Sequence, residues 1–186
     1  MLTWIILGVI VLALLYGVAV YNRLVRLRAL VREAFSGITV QLRRRADLVP
    51  NLVSTVQGYA SHERETLDAV TAQRTAANNA GTVAATAQAD AAMTAMLGRL
   101  FAVAEAYPDL KADANFRELQ TELSGLETEL QSARRYYNAT ARDLNTKVVS
   151  FPDMFFAGPM GFKEEPYYED ADPAIQSAPK VDFKPA

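Results

Sequence analysis

The sequence predicts an all-α protein: an N-terminal transmembrane helix continuing into an antiparallel four-helix bundle, with an extended C-terminal tail. Three observations carry this reading. Residues 1–20 hold no charged side chain. Between Leu24 and Val148 the apolar residues recur at three- and four-residue steps, the period of a helix with one buried face. Six of the eight prolines lie beyond Ser150, where that density cannot continue a helix. The expected domains are an anchor at 1–21, a bundle at 22–149 and a tail at 150–186, disordered from about residue 172.

Bulk composition narrows the function classes. With 186 residues, the chain can bury one sizeable core and carry appendages. A formal charge of -2 argues against nucleic acid as a partner, because phosphate binding draws on an excess of Lys and Arg. No cysteine is present, so disulfides, thiolate metal sites and cysteine nucleophiles are out.

The first element, LTWIILGVIVLALLYGVAV from Leu2 to Val20, is 19 uncharged residues. As a helix it spans about 29 Å, which matches a bilayer's hydrocarbon core. Trp4 lies near one end and Tyr16 and Tyr21 near the other, as rings that favour the headgroup zone do. A cleaved signal peptide would want a basic n-region and a small-x-small cleavage site, and neither flanks this run. Arg23, Arg26, Arg28 and Arg32 follow directly, so the positive-inside rule puts the N-terminus outside and the rest in the cytoplasm, at the inner membrane.

Leu24, Leu27, Val31, Phe35, Ile38 and Leu42 extend the anchor as a first amphipathic helix, expected to end near Ala46. The stretch RRRADLVPNLV then reads as a corner. Arg43, Arg44 and Arg45 would offset the negative end of one helix dipole, Asp47 would cap the next helix, and Pro50 would fall in its first turn. That second helix carries Leu52, Val56, Tyr59, Leu67 and Val70 to about Thr75, with His62 and Glu63 within it. Asn78, Asn79 and Gly81 mark a turn. Met93, Leu97, Leu100 and Ala104 define a third helix, stopping near Tyr107 because Pro108 disfavours helical geometry before it. Asp113 or Asn115 caps a fourth of about 37 residues, in which Phe116 to Tyr137 steps by 3,4,3,4,3,4, coiled-coil spacing.

The tail's first half, FPDMFFAGPMGF, is too apolar for a solvated linker. It is expected to pack on the bundle or on a neighbouring chain, with Phe151, Phe155, Phe156 and Phe162 as contact residues.

Several stretches together carry a family resemblance: QLRRRADLVPNLVSTVQGYASHE at 41–63, YPDLKA at 107–112, NFRELQTEL at 115–123, RRYYN at 134–138 and FPDMFFAGPMGF at 151–162. In this order and spacing they resemble the LemA family of bacterial membrane proteins, over residues 20–168. The resemblance implies a membrane anchor and a four-helix bundle of mirror up-and-down topology on the cytoplasmic side. The family has no agreed catalytic activity, so it supplies no catalytic residues. One relative is associated with forming the membrane of a magnetic organelle, which implies a scaffold. Two positions depart from the commoner family letters: Phe35, where tryptophan is usual, and Ala46, where tyrosine is usual.

Candidate chemistry is sparse. His62 in SHERET lacks the second histidine four residues on that a zinc helix needs. Glu118, Glu122 and Glu129 cannot form a di-metal bundle site, which needs two Glu-x-x-His pairs where this chain has one histidine. No G-x-S-x-G elbow or phosphate-cradling glycine loop occurs. The expectation is therefore no catalytic, cofactor or metal site. The arginines at 43–45 are expected to face water or the acidic tail at Glu164, Glu165, Glu169 and Asp170. The reading is a non-enzymatic, membrane-anchored adaptor or self-assembling scaffold. Its partners are the lipid bilayer, further copies of itself, assembled through the fourth helix and the tail, and a membrane or cytoplasmic protein not identified by sequence. The rival is an enzyme or enzyme subunit with a ligand pocket at the corner, using His62, Asp47 and the arginines.

Overall fold

A computed structural model describes residues 1–60, 62–78 and 81–169. Six helices account for most of them: α1 (Leu2–Tyr59), α2 (Arg64–Asn78), α3 (Val83–Glu105), α4 (Pro108–Ala112), α5 (Ala114–Val149) and α6 (Met154–Ala157), with no strand among the described residues. The all-helical class and the long apolar N-terminal helix are as the periodicity implies. α1 is also the one described helix long and apolar enough to cross a membrane.

The corner at RRRADLVPNLV does not exist. α1 runs unbroken through Ala46, Asp47 and Pro50 to Tyr59, so Arg43, Arg44 and Arg45 close no helix and Asp47 caps none. The break comes instead at 60–63, which places His62 in an exposed turn. Proline in a helix interior costs about 3 kcal/mol because it donates no hydrogen bond and crowds the carbonyl four residues back. That carbonyl belongs to Ala46, and the Arg74 Nε of α2 donates to it at 3.1 Å. Val49, Leu52 and Val56 are almost wholly buried beside the proline. At about 1.5–3 kcal/mol for each fully buried side chain, their burial outweighs the defect.

Other boundaries follow local chemistry. Thr82 caps α3 by accepting from the Ala85 N–H. Pro108 opens the short α4, where its missing N–H costs nothing. Asp113 caps α5, its Oδ1 accepting from the Phe116 N–H at 2.9 Å. Of the turn residues expected from sequence, Asn79 lies outside the described residues, as does the tail from residue 170.

The chain divides into two compact units, and α1 and α5 contribute to both. One comprises residues 43–123 with the tail from Tyr168. Its core joins Val49, Leu52, Val56 and Ala60 of α1, Leu67 and Val70 of α2, Met93, Leu97 and Leu100 of α3, Leu110 of α4, and Phe116, Leu119 and Leu123 of α5. The Phe101 and Phe116 rings meet edge to face at 6.1 Å. The other unit comprises residues 1–42 and 124–167. It buries Val20, Leu24, Val31, Ala34 and Ile38 of α1, Leu130, Tyr137, Ala141 and Leu144 of α5, and Ala157 and Phe162 of the tail. The Phe35 ring lies 5.9 Å from that of Tyr137, tilted by 58°, so phenylalanine at this position makes an aromatic contact.

Candidate functional site

In the unit built on residues 43–123, the three arginines part company. Arg43 and Arg44 project from α1 at the surface, whereas Arg45 is buried, with 6 % of its surface exposed. Its Nη1 lies 3.1 Å from Asp90 Oδ1 and its Nη2 donates to Thr94 Oγ1 at 3.0 Å. The Thr94 hydroxyl in turn donates to the Asp90 carbonyl at 3.0 Å. From the tail, Tyr168 donates to Asp90 Oδ2 at 2.8 Å. Asp90 is 2 % exposed, so a buried charge pair sits here with tail and helix hydroxyls arranged around it. A buried pair of this kind contributes little net stability, but removing one partner leaves the other as an uncompensated buried charge.

Among the described residues Asp90 is a carboxylate partner of Arg45 and the tail contributes the Tyr168 phenol, while Asp170 lies outside the described residues. Asp90 and Tyr168 escaped the sequence reading, although a signal existed. Thr86, Asp90, Met93, Leu97, Leu100 and Ala104 step by 4,3,4,3,4, so a lone aspartate occupies a buried stripe in an alanine-rich helix.

Asp47 and Pro50 are exposed on the outer face of α1, and His62 is exposed in the turn. A polar groove of about 440 Å³ in the same unit is lined by Leu48, Asn51, Ser54 and Thr55 of α1 and Asn115, Glu118, Leu119 and Glu122 of α5. None of His62, Asp47 or the arginines lines it, so this groove does not assemble the groups the enzyme reading requires. Among the described residues no cluster of three or more His, Asp or Glu is placed to hold a metal ion.

The second arrangement lies in the unit built on residues 1–42 and 124–167, where α5 clasps the tail at Glu165 and Pro166. Asn145, nearly buried, takes both backbone groups of Glu165: its amide donates to the carbonyl at 2.8 Å and its oxygen accepts the N–H at 2.7 Å. Tyr137 donates to the Pro166 carbonyl at 2.7 Å. Burial, with the Glu165 charge adding to it, pushes the Tyr137 phenol up to about 12, so it remains a donor. An extended segment without a sheet partner must satisfy its peptide groups somewhere, and these two side chains do so.

Closer to the N-terminus the FPDMFFAGPMGF segment folds back on α1. Asp153 is buried between Lys147, with which it forms an ion pair, and the Tyr16 hydroxyl, which donates to it at 2.8 Å. Burial pushes the Asp153 carboxyl up, but these hydrogen bonds and the Lys147 charge outweigh it and hold the carboxyl below its usual range. The Phe156 ring lies 5.7 Å from that of Tyr16 and against Gly17, where a Cβ would meet it at 3.1 Å. Phe162 is buried beside Tyr21, under the guanidinium of Arg28 at 4.0 Å. Gly161 turns the chain with φ 76, a value favouring glycine, and its carbonyl accepts from Arg28 at 2.9 Å. Thus Phe156 and Phe162 face inward, while Phe151 and Phe155 are 78 % and 64 % exposed.

The sequence profile of the LemA family matches residues 34–183. Among curated relatives, the chain is 29 % identical over 131 residues to "Protein LemA" of Metamycoplasma hominis, covering 70 % of this chain and 60 % of that one. It is 24 % identical over 176 residues to "Magnetosome protein MamQ 2" of Paramagnetospirillum magneticum, covering 81 % of this chain and 65 % of that one. It is 30 % identical over 82 residues to "Magnetosome protein MamQ" of Magnetospirillum gryphiswaldense, covering 44 % and 30 %. The chain thus spans under two thirds of the length of these relatives.

Proposed function

The chain belongs to the LemA family, and on that footing we propose that it is a non-enzymatic adaptor or self-assembling scaffold anchored in the inner membrane. In this reading residues 2–20 span the bilayer with the N-terminus outside, and an antiparallel four-helix bundle of the mirror type stands in the cytoplasm. One observation carries it: the apolar segment and the packed helix are a single α1, Leu2–Tyr59, with no linker between them. A tether for an independent enzyme needs no such continuity, whereas a scaffold whose folded part begins directly at the membrane does. The relatives named as magnetosome proteins support a task at a membrane.

Scaffolding requires free surface. The heptad face of α5 does not supply it, because Phe116, Leu119, Leu123, Leu130 and Tyr137 are buried within the chain. Exposed polar surface does, including Arg43 and the Asn51–Glu118 groove. The test is native extraction of the full chain from membranes, with sizing and identification of whatever co-elutes. A homo-oligomer or a defined partner complex is expected; a monomer alone across several mild detergents refutes the scaffold. A reporter fused after Ala186 is expected to be active only in the cytoplasm, and activity on the far side of the membrane overturns the orientation.

A further inference from the structure

The first half of the tail sits at one level of α1 only. Its contacts are with Tyr16, Gly17, Tyr21 and Arg28, the end of the apolar run and the first basic turns after it. Together with Phe156 and Met160, the residues Ile10, Ala13, Leu14, Gly17, Val18 and Tyr21 wall an apolar groove of about 490 Å³. Around it Phe151, Met154, Phe155 and Met160 remain exposed, continuous with the exposed apolar surface of α1 from Leu2 to Tyr21.

We propose that residues 151–162 form a monotopic wedge immersed in the cytoplasmic leaflet, and that an acyl chain of a bilayer phospholipid occupies the groove between wedge and anchor. The inference rests on residues 2–20 spanning the membrane. Four features argue for lipid rather than water or protein as the occupant.

Depth is the first. Gly17 lies four residues inside Tyr21, about 6 Å along the helix axis, so the Phe156 ring against it reaches the depth of roughly 5–10 Å at which interfacial segments lie. Charge is the second: residues 151–162 carry one ionisable side chain, Asp153, and it arrives paired with Lys147 and bonded to Tyr16. An unpaired charge at that depth would be costly. Flanking charge is the third, since Arg23 and Arg26 follow the apolar run directly in α1 and suit anionic headgroups, while the acidic residues Glu164 and Glu165 come only after the segment ends. Fixation is the last. Gly17 admits Phe156, Arg28 covers Phe162 and holds Gly161, and so the segment's inward residues are locked while Phe151 and Phe155 stay outside.

Trp4 is the chain's one tryptophan, which makes the test direct. Full-length protein is reconstituted in phosphatidylcholine–phosphatidylglycerol vesicles whose acyl chains are brominated near the carbonyl end. Wild type is compared with Phe155→Trp and, separately, Phe151→Trp, each in a Trp4→Phe background; both replaced phenylalanines are exposed, so the fold tolerates them. The wedge predicts blue-shifted emission from both new tryptophans and its quenching by the bromines, as for a ring at that depth. Water-like, unquenched emission at 155 and 151 with Trp4 quenched by deep bromines leaves the anchor standing and overturns the wedge. Blue-shifted but unquenched emission also overturns it, because a protein surface, such as a second copy of this chain, then covers the segment. Absence of quenching at Trp4 from any bromine depth refutes the anchor and, with it, the wedge that rests on it, an outcome distinct from loss of the wedge alone.

Discussion

Pro50 and Arg74 offer a quantitative test of why α1 continues where the sequence implies a corner. With no N–H at Pro50, the Ala46 carbonyl loses its helical donor, and Arg74 Nε replaces it at 3.1 Å. Ala46 is 1 % exposed, so water is no substitute. Arg74→Met keeps most of the apolar stem and removes the donor, leaving a buried acceptor unmet at a cost of about 1–3 kcal/mol. For a chain of this length that lowers the melting temperature by roughly 2–12 °C. Pro50→Ala supplies the missing N–H and removes a residue about 3 kcal/mol less favourable in a helix interior than alanine, so it raises the melting temperature. In the double variant the new N–H serves Ala46, and the Arg74→Met penalty should shrink by about 1 kcal/mol or more, a coupling that a double-mutant cycle resolves. The assay is thermal unfolding of the full chain in detergent, followed by far-UV circular dichroism. If Arg74→Met costs the same with and without Pro50, the carbonyl is not what Arg74 is for, and the account of the unbroken helix fails.

Asp90→Asn keeps the shape of the buried pair but removes the charge opposite Arg45, and is expected to destabilise by about 3–5 kcal/mol in the same melts, against about 0.5–1.5 kcal/mol for Tyr168→Phe; equal effects would deny Asp90 its central place. Asp113 is held below its ordinary 3.8 by the Phe116 N–H and then the Tyr59 hydroxyl. Because its folded-state value is the lower one, the stability it contributes is present above pH 3.8 and lost as pH falls through the depressed value. Asp113→Ala should therefore melt below wild type at neutral pH and converge on it in acid, and a gap that persists at low pH refutes the capping role.

What the sequence exposes and what it hides divide along the range of the interactions. The period of α5 and the stops at Pro108 and Asp113 depend on neighbours within a few residues, and they are legible. Proline's effect at position 50 depends on Arg74, 24 residues away in another helix, and no local pattern announces it. Arg45 sits in a stretch where three arginines look alike, yet Val31, Ile38, Leu42, Arg45, Val49, Leu52 and Val56 lie on one helical stripe. Only the middle member of that series is charged, which marks it as inward once the helix is known to continue. The tail's clasp is invisible for a different reason: Asn145 and Tyr137 bind peptide groups, and a backbone carries no letter.

Continuity of α1 has a consequence for the proposed anchor. In a single helix, each residue's direction is fixed by every other at 100° per step. Val20, Leu24, Val31, Ala34 and Ile38 are buried, and the same stripe extended one step back reaches Gly17, the residue against which Phe156 packs. The buried face of α1 between Val20 and Ile38 thus selects which face of the apolar segment receives the tail, and leaves the remaining faces exposed. Two solvents then act on one helix. Protein covers the stripe that begins at Gly17, and on the proposed reading lipid would take the rest, so that the anchor's rotation about its own axis would be set by the folded chain and not by the bilayer. A transmembrane segment joined through a flexible linker would have no such preference, and Gly17 would then have no reason to be glycine.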